Sequence, residues 1–324
     1  MSNQITRLYS ISQKETRSII GLMSGTSLDG LDVALCDITG SGLATSVALR
    51  KFRTVPYSHE VKDRIRSVFA RKEIDFQHLV LLNEWIGMLH AEMILSCLSE
   101  WDIASDEIDC IASHGQTVYH APRHQHGIPG WPDATLQIGD GDHIAVRTGI
   151  ITLSDFRQKH LAAGGEGAPL AVYGDYLLFS KSGENRLMLN MGGIANFTYL
   201  PGDLDPTAVF VTDTGPGNTL MDAFTQKLFN LPYDKDAVLA RKGTISVPLL
   251  NALKDNPFFQ ASFPKTTGPE VFNTEYVRNA QKKTGMLGLS GEDILATLAA
   301  FSGETIVEAI RKVIQPGQHY SLYA

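Results

Sequence analysis

Residues 21–38 have the sequence GLMSGTSLDGLDVALCDI, in which two apolar segments flank a middle of small, polar and glycine residues. A two-residue turn such as Asn-Gly or Asp-Gly would suffice to connect two strands. The longer middle instead gathers backbone N–H groups, three hydroxyls and a carboxylate at one tip, which is the set of groups that cradles a phosphate. A longer hairpin loop rich in turn-forming residues has the same composition, so this stretch alone leaves both interpretations open.

The segments around this tip predict an α/β layered domain. Strands are predicted in close succession at residues 18–23, 31–38 and 45–52, which makes a meander. Helical spacing follows at residues 61–69, and a long segment with helical apolar periodicity extends from residue 76 to residue 101. A short buried strand at residues 108–112 then leads into SHGQT. The order of strands, helices and strand is typical of a layered α/β fold.

The second half of the chain repeats this order. Two strands surround the glycines of MGGIANFTYL, and a third ends in TDTGPGN before a helical pattern at residues 218–229. A chain of 324 residues is also long for one core. We therefore predict two domains, residues 1–150 and 151–324, with the crossing at residues 149–153. No linker rich in Pro or Ser marks this boundary, which favours two domains packed closely around a cleft.

The composition is that of an ordinary globular protein, with 43% hydrophobic and 19% charged residues. The net charge of -7 and the lack of a basic stripe argue against a nucleic-acid partner. Three scattered cysteines, Cys36, Cys97 and Cys110, indicate a reducing compartment rather than a disulfide framework. The first residues have no signal-peptide pattern, and no apolar run approaches membrane-spanning length. We expect a cytoplasmic protein with no membrane partner.

Polar and acidic groups stand at the ends of several predicted strands, which is where layered α/β folds bind ligands. They include Asp29 and Asp32 at the first tip, the segment SHGQTVYH, Asp155 in LSDFRQKHLAAGGEGAPL, and Asp213 in TDTGPGN. This arrangement suggests a nucleotide and a polar substrate. Each group also has a structural interpretation, since an aspartate can cap a turn or face solvent and His114 can be a buried, satisfied histidine. The sequence contains neither a Walker nor a Rossmann glycine motif, so an ATP site would use another architecture.

Seven motifs together resemble one family. GLMSGTSLDGLDVAL, SHGQTVYH, TLQIGDGDHIA, DFRQKHLAAGGEGAPL, NMGGIANFT, DTGPGN and DILATLAAFS occur in the order and spacing of the anhydro-N-acetylmuramic acid kinases, from about residue 18 to residue 301. Each motif alone is weak, but the set is specific. The resemblance implies an α/β fold with two RNase H-like domains of the actin-like ATPase and sugar kinase superfamily around an interdomain cleft, and a homodimer.

The resemblance also implies the residues of the site. The first phosphate-binding tip would consist of Gly25, Thr26, Ser27, Leu28, Asp29, Gly30, Leu31 and Asp32. The second would consist of Asp213, Thr214, Gly215 and Asn218, with Asp213 contacting Mg²⁺ through the phosphates of ATP. Asp155 matches the family's catalytic aspartate. The candidate substrate-binding residues are His114, Gln116, Arg157 and Glu166. Arg157, two residues after Asp155, could keep that carboxylate ionised by proximity.

The implied reaction converts 1,6-anhydro-N-acetylmuramic acid, ATP and water to N-acetylmuramic acid 6-phosphate and ADP, in cell-wall recycling. The locked O6 of this sugar carries no proton, so a hydroxyl-activating base has nothing to remove. Water would attack C1 instead, with Asp155 as its base. Two alternatives stay open: a non-catalytic nucleotide-binding clamp on the same scaffold, and a metal-independent glycosidase that uses Asp155 with Glu166.

Two departures from the family pattern stand in the second half. The segment KTTGPE has Pro269 where the family commonly has arginine. The family also continues past the DILATLAAFS helix into a strand and a glycine-rich turn that contributes to nucleotide binding, whereas this chain ends at GQHYSLYA. We therefore expect a shortened second domain and an incomplete adenosine side of the site.

Overall fold

The computed structural model describes residues 4–25, 28–268, 271–314 and 317–324, and it divides the chain into two compact units, Met1–Leu170 and Ala171–Ala324. Each unit has a sheet of its own. The division falls later than the predicted boundary at 150/151. The reason is the short strand Thr152–Leu153, which pairs with the first sheet and keeps the residues around it in the first unit.

The first unit contains six strands in one sheet. They are β1 (Thr16–Ser24), β2 (Gly30–Thr39), β3 (Ser46–Pro56), β4 (Cys110–Ala121), β5 (Ala134–Ile138) and β6 (Thr152–Leu153). The first three form the predicted antiparallel meander, and β4 is parallel to β1. The first half of β4 pairs in parallel with β6, while its second half pairs antiparallel with β5. On the side opposite β1, β4 therefore pairs first with β6 and then, further along the strand, with β5.

β4 is much longer than the strand predicted at residues 108–112. The SHGQT segment was predicted to follow a strand end, and this was wrong because the ladder continues through it to Ala121. Gly115 permits this continuation. It adopts a φ of +73°, and a Cβ there would lie 2.8 Å from the backbone oxygen of Ile138. A glycine is required where the backbone is left-handed and closely packed.

The helices of the first unit cover this sheet. They are α1 (Gln4–Ser12), α2 (His59–Arg66), α3 (Phe76–Trp101), α4 (Arg123–His126), α5 (Gly141–Thr148) and α6 (Phe156–Ala162). The bounds of α3 agree with the predicted helix at residues 76–101. Asp75 caps its start by accepting a hydrogen bond from the His78 backbone N–H. Ile86 and Ile94 of α3 pack with Ile20 and Ile111 of the sheet in one buried cluster.

α3 is long and apolar enough to cross a membrane by length and composition, with a mean hydropathy of 1.2 over its most apolar window. The expectation that no segment approaches membrane-spanning length was therefore wrong. The core helix of a globular domain passes the same test. One face of α3 belongs to the core of the first unit, and about a third of the apolar window, 33%, is buried.

The second unit contains a sheet of four strands, in the order β10-β7-β8-β9. The strands are β7 (Asn185–Met191), β8 (Ile194–Leu200), β9 (Phe210–Pro216) and β10 (Tyr320–Tyr323). The helices are α7 (Ala171–Phe179), α8 (Thr219–Phe229), α9 (Val247–Lys254), α10 (Pro257–Gln260), α11 (Thr274–Thr284) and α12 (Gly291–Val313). Three large aromatic side chains, Phe197, Phe272 and Phe301, are completely buried in its interior.

The two sheets share one topology. In each, three successive strands form an antiparallel meander, and a fourth strand lies parallel to the first on its outer side. This is the strand arrangement expected of an RNase H-like domain. The prediction of two such domains is confirmed, and the turn between β7 and β8 is the topological counterpart of the turn between β1 and β2.

Candidate functional site

The turn between β1 and β2 carries the first predicted phosphate-binding tip, of which Thr26 and Ser27 lie outside the described residues. Leu28 is buried and has a φ of +59°, so its apolar side chain anchors the turn. The Asp29 side chain is exposed, and its backbone oxygen accepts a hydrogen bond from the Tyr57 N–H at 3.0 Å. Leu31 is buried in the core.

Asp32 lies inside β2 and not at a strand end. Its carboxylate accepts a hydrogen bond of 2.5 Å from the Thr54 hydroxyl on β3. The cross-strand register places the two residues opposite each other. The structure therefore gives Asp32 a partner within the sheet.

A chain of buried hydrogen bonds supports the tip from below. Ser24 Oγ lies 2.5 Å from Gln116 Oε1 and 2.8 Å from the Tyr57 hydroxyl, which lies 2.7 Å from His90 Nε2. Gln116 Nε2 donates to the backbone oxygens of Gly25 and Thr117. Since Gln116 Oε1 only accepts, the donors run in one direction, from His90 Nε2–H to Tyr57, then to Ser24, then to Gln116. The predicted substrate residue Gln116 therefore holds the first tip.

In this arrangement Nε2 of His90 carries the proton, so in the neutral imidazole Nδ1 is not protonated. His90 is completely buried, and its Nδ1 has no hydrogen-bond partner in the described part of the chain. Burial lowers the pKa of His90 to about 4, because a charged imidazole there would lose its hydration. Burial also raises the pKa of Tyr57 to about 12. Tyr57 and His90 were not predicted from the sequence. They lie outside the motifs, so no sequence pattern indicated that they support the tip.

We expect His90 to make the protein less stable at acidic pH. Between pH 6.5 and about 4 the unfolded chain binds a proton that the folded His90 does not, so stability falls as the pH falls through this window. The loss should reach about 3 kcal/mol at pH 4. Urea denaturation of wild type and His90→Gln at pH 6.5 and pH 4 measures it. The variant should lack this component, while exposed His59→Gln should keep it. Equal pH dependence in wild type and His90→Gln would contradict the assignment.

Asp155 follows β6 and begins α6, in a left-handed conformation with a φ of +59°. Its side chain is exposed and forms no hydrogen bond or ion pair with another residue in the part of the chain that the structure describes. Because β6 and β1 flank β4 in parallel, Asp155 and the first tip both follow the carboxyl ends of their strands. Leu153, the last residue of β6, is level with Gly21 through Ala112, so the end of β6 lies roughly 10 Å from β1 across β4 and three residues before the end of β1 at Ser24.

A cavity of about 620 Å³ opens at Asp155, where the edge of β4 passes from β6 to β5. Its lining includes Ser113, His114, Gly115, Asp140, Asp142 and Gln158. Neither lysine nor arginine lines it among the described residues. Apolar side chains that include Phe76, Leu79 and Val80 form the rest of the wall. The cavity therefore combines an acidic, polar part, which suits a hydroxylated ligand, with an apolar part, and it leaves the Asp155 carboxylate accessible to water.

Arg157 does not approach Asp155, contrary to the prediction that it would keep that carboxylate ionised. Its Nε donates to His114 Nε2 at 2.8 Å, and its Nη1 donates to the backbone oxygen of Gly167 at 2.8 Å. The side chain points along α6 towards β4 because a helical turn, not an extended strand, follows Asp155. Arg157 thus ties the glycine-rich segment at 164–167 to β4.

His114 is the partner that orients Arg157. Its Nε2 accepts from Arg157, so the proton lies on Nδ1, which donates to the backbone oxygen of Gly115 at 2.8 Å. Burial and then the Arg157 charge lower the pKa of His114. The imidazole is therefore a neutral acceptor at neutral pH, as the structural interpretation of this histidine expected.

Two further groups of charged residues lie near this cavity. Glu166 is exposed, and its carboxylate lies 3.5 Å from His124 Nδ1. His143 Nδ1 lies 2.7 Å from Glu84 Oε2 and 3.0 Å from Asp140 Oδ1. The hydrogen bond with Asp140 raises the pKa of His143 and lowers that of Asp140. Glu84, Asp140 and His143 could hold a cation by their spacing, but in the described structure His143 is hydrogen-bonded to Asp140 and lies within ion-pair distance of Glu84.

In the second unit, Asp213 lies inside β9 and does not end a strand. One of its carboxylate oxygens accepts a hydrogen bond of 2.8 Å from the Thr267 backbone N–H, and its own N–H donates to the Lys265 backbone oxygen. Thr214 is buried and donates to the Ala195 backbone oxygen. Asp213 and Thr214 of the predicted second tip therefore form hydrogen bonds with residues of the second unit itself.

The turn between β7 and β8 lies directly against the predicted second tip. The backbone N–H groups of Gly217 and Thr219 donate to the Gly193 oxygen, and that of Asn218 donates to the Gly192 oxygen. A Cβ on Gly217 would lie 2.2 Å from the Gly192 oxygen. These N–H groups already donate within the fold and are therefore not free to bind a phosphate. Sequence reasoning placed the tip on Asp213–Asn218, although MGGIAN has the same strand-glycine-strand pattern as the first tip.

Comparisons with known proteins show the family to which the chain belongs. The family model described as anhydro-N-acetylmuramic acid kinase matches residues 17–321. Similar proteins named anhydro-N-acetylmuramic acid kinase are 54% identical in Pseudoalteromonas atlantica and 52% identical in Pseudoalteromonas translucida; each match covers 100% of this chain and 81% of the relative. The chain belongs to the anhydro-N-acetylmuramic acid kinase family. A relative of that name in Caldanaerobacter subterraneus is 39% identical over 96% of this chain and 79% of its own.

The segment KTTGPE, which departs from the family pattern at Pro269, is only partly described, since Pro269 and Glu270 lie outside the described residues. Lys265 at its start is half-buried, and its Nζ lies 4.1 Å from the ring centre of Phe258 and donates to the Phe258 backbone oxygen. Burial and, to a smaller extent, the charge of the nearby Lys312 lower the pKa of Lys265 to about 8. Lys265 therefore packs on aromatic rings of its own unit.

Proposed function

We propose that this kinase-family chain converts 1,6-anhydro-N-acetylmuramic acid, ATP and water to N-acetylmuramic acid 6-phosphate and ADP. Family membership over residues 17–321, with relatives named for this activity, is the observation that carries the proposal. The chemistry of Asp155 agrees with it, because an accessible carboxylate without a partner can act as a base. The reaction recycles cell-wall sugar in the cytoplasm, and the active form is a homodimer.

Asp155 is the general base of this proposal. It takes a proton from the water that attacks C1, the bond between C1 and O6 breaks, and the released O6 attacks the γ-phosphorus of ATP, from which ADP leaves. No proton has to be removed from O6. Gln158 and Asp140 line the same cavity and offer hydrogen-bond partners for the hydroxyls of the sugar, whereas both ring nitrogens of His114 are already engaged within the protein. Arg157 acts as a positioning residue, because it holds α6 against β4 next to Asp155.

The nucleotide phosphates would bind at the two turns. The first is the β1–β2 tip, residues 25–32, and the second is the Gly192–Gly193 turn together with residues 213–218. Proteins hold Mg²⁺ with one or two carboxylates, water and phosphate oxygens. Asp29 fits this role, since its exposed carboxylate has no partner among the described residues. Asp213 fits it less well, because Thr267 already occupies one oxygen. Bound magnesium would neutralise part of the phosphate charge.

One assay separates this function from its alternatives. The protein is incubated with the anhydro sugar, with and without ATP and magnesium, and the products are identified by mass spectrometry. We expect phosphosugar and ADP only when both are present. Free sugar without ATP would indicate a glycosidase that uses Asp155. Nucleotide binding without any product would indicate a clamp, although the names of the relatives favour an enzyme.

We expect Gly25→Val to weaken ATP binding at least tenfold while the fold is retained. Gly25 is half-buried at the tip, and its backbone oxygen is held by Gln116, so a branched side chain would stand where the phosphates approach. Calorimetric titration with a non-hydrolysable ATP analogue measures the affinity. Gly288→Val is the matched control, because a Cβ at Gly288 meets open space. Unchanged affinity in Gly25→Val would remove the tip from the nucleotide site.

A further inference from the structure

A second cavity, of about 700 Å³, lies on the first unit between β4, β5 and the segment that joins α2 to α3. Ligand pockets typically have this size, apolar walls and a few polar groups. The walls here include Val68, Ile74, Leu79 and Val118, and Trp131 stands at the rim with 67% of its surface exposed. Asp155 does not line this cavity, which shares Leu79 and Leu136 with the wall of the proposed sugar site and is otherwise lined by different residues.

The charged groups of this cavity are all of one sign. Arg71 and Lys72 line it, and both are exposed. Neither forms an ion pair with another residue in the described ranges, and no acidic residue is found among the described residues that line the cavity. The whole chain has more acidic than basic residues, 35 against 28. A local excess of unpaired cations in an acidic protein favours an anionic ligand.

The two sides of the cavity are held in place by hydrogen bonds. The Ala70 backbone N–H, next to Arg71, donates to the Val118 oxygen of β4 at 2.8 Å. On the opposite side, His126 Nδ1 accepts from the Ile128 N–H at 2.9 Å, and its Nε2 lies 3.2 Å from the Pro132 oxygen. His126 therefore fixes the loop that presents Trp131. The cations and the aromatic rim face one cavity without rearrangement.

His120 of β4 adds a polar group without a partner. Its Nδ1 is buried and forms no hydrogen bond within the part of the chain that the structure describes. Buried polar atoms usually have a partner, so an unpaired nitrogen in a cavity wall points to a group supplied from outside. A carboxylate oxygen or a water bound to it would satisfy this nitrogen.

We propose that this cavity binds a small carboxylate with an aliphatic body. The body packs against Val68, Leu79, Val118 and the face of Trp131, while the carboxylate faces Arg71 and Lys72. We infer the aliphatic body from the apolar walls, and we infer the carboxylate from the two cations that have no acidic partner among the described residues. Asp155 and the phosphate-binding turns do not line this site, so the proposed ligand would not contact the groups assigned to the kinase reaction.

Decanoate and decanol test the proposal, because they have the same tail and differ in charge. Binding to the full chain is measured by calorimetry and by the fluorescence of Trp131. Two exposed cations contribute a modest energy, so we expect decanoate to bind about tenfold more tightly than decanol. Arg71→Ala with Lys72→Ala should remove this preference. The matched control is Arg241→Ala with Lys242→Ala, an exposed Arg-Lys pair in the second unit, and it should leave the preference unchanged.

Two further variants locate the ligand. Trp131→Phe should abolish the fluorescence change and keep the calorimetric heat. Ala134→Phe, on the exposed face of β5 at the cavity, should weaken both ligands at least tenfold, with an unchanged thermal midpoint. The proposal is overturned if decanoate does not bind, if decanol binds equally well, or if the Arg241 and Lys242 control loses the preference to the same extent.

Discussion

Asp155→Asn should lower turnover by about 10²–10⁴-fold and leave the binding of sugar and nucleotide unchanged. Asparagine has the shape of aspartate but cannot take a proton from water. The substitution should cost little stability, because the Asp155 side chain has no partner among the described residues and asparagine tolerates the left-handed backbone found there. Single-turnover rate, sugar affinity and melting temperature, measured on one preparation, check this result.

Asp142→Asn is the matched control for this prediction. Asp142 lines the same cavity, so its replacement removes one negative charge without removing the base. We expect it to retain most of the turnover. If both variants lost turnover equally, the acidity of the cavity and not a base at Asp155 would be responsible. If Asp155→Asn kept its chemical step, the search for the base would turn to Glu166 or Asp29.

Gly30→Val should destabilise the first unit by about 3 kcal/mol or more and abolish nucleotide binding through loss of the fold. Gly30 begins β2, and a Cβ there would lie 2.2 Å from the Val55 backbone oxygen of β3. A backbone atom cannot move aside as a side chain can, so the β2–β3 pairing next to the tip would have to open. Chemical denaturation measures the free energy of unfolding.

Gly21→Val is the control for Gly30, because it lies in β1 of the same hairpin and its Cβ would have 4.0 Å to the nearest atom, the Ala34 oxygen. We expect a change of less than about 1 kcal/mol there, as for a tolerated apolar substitution. A well-folded Gly30→Val variant with weak nucleotide binding would instead assign Gly30 to phosphate contact. That outcome would separate it from the packing role that the structure indicates.

The sequence was sufficient for the elements with strong periodicity. The meander and the helix at residues 76–101 were predicted because their apolar patterns are long and local. The length of β4 could not be predicted, since it depends on Gly115 packing against the distant Ile138 oxygen. The domain boundary also depended on a tertiary contact, the pairing of a two-residue strand with β4.

In the site, too, local motifs could be predicted from the sequence and tertiary contacts could not. Motifs identified Asp155 and the first tip, and the family resemblance assigned their roles, which remain proposals. The partner of Arg157 could not be read from spacing, because a left-handed residue at Asp155 turns the chain into α6. Tyr57 and His90, which support the tip through Ser24, come from separate parts of the chain and belong to no motif. Only the folded sheet brings them together.

The central claim is that the γ-phosphoryl group of ATP is transferred to O6 of the sugar and not to water. A turnover experiment in ¹⁸O-labelled water, with product analysis by mass spectrometry, tests this most directly. We predict that the phosphate group of the sugar product contains no oxygen from water, because O6 of the sugar itself attacks the γ-phosphorus, and that each ADP is matched by one phosphosugar. Labelled inorganic phosphate together with unphosphorylated sugar would contradict the claim, since water would then have attacked ATP separately from the sugar.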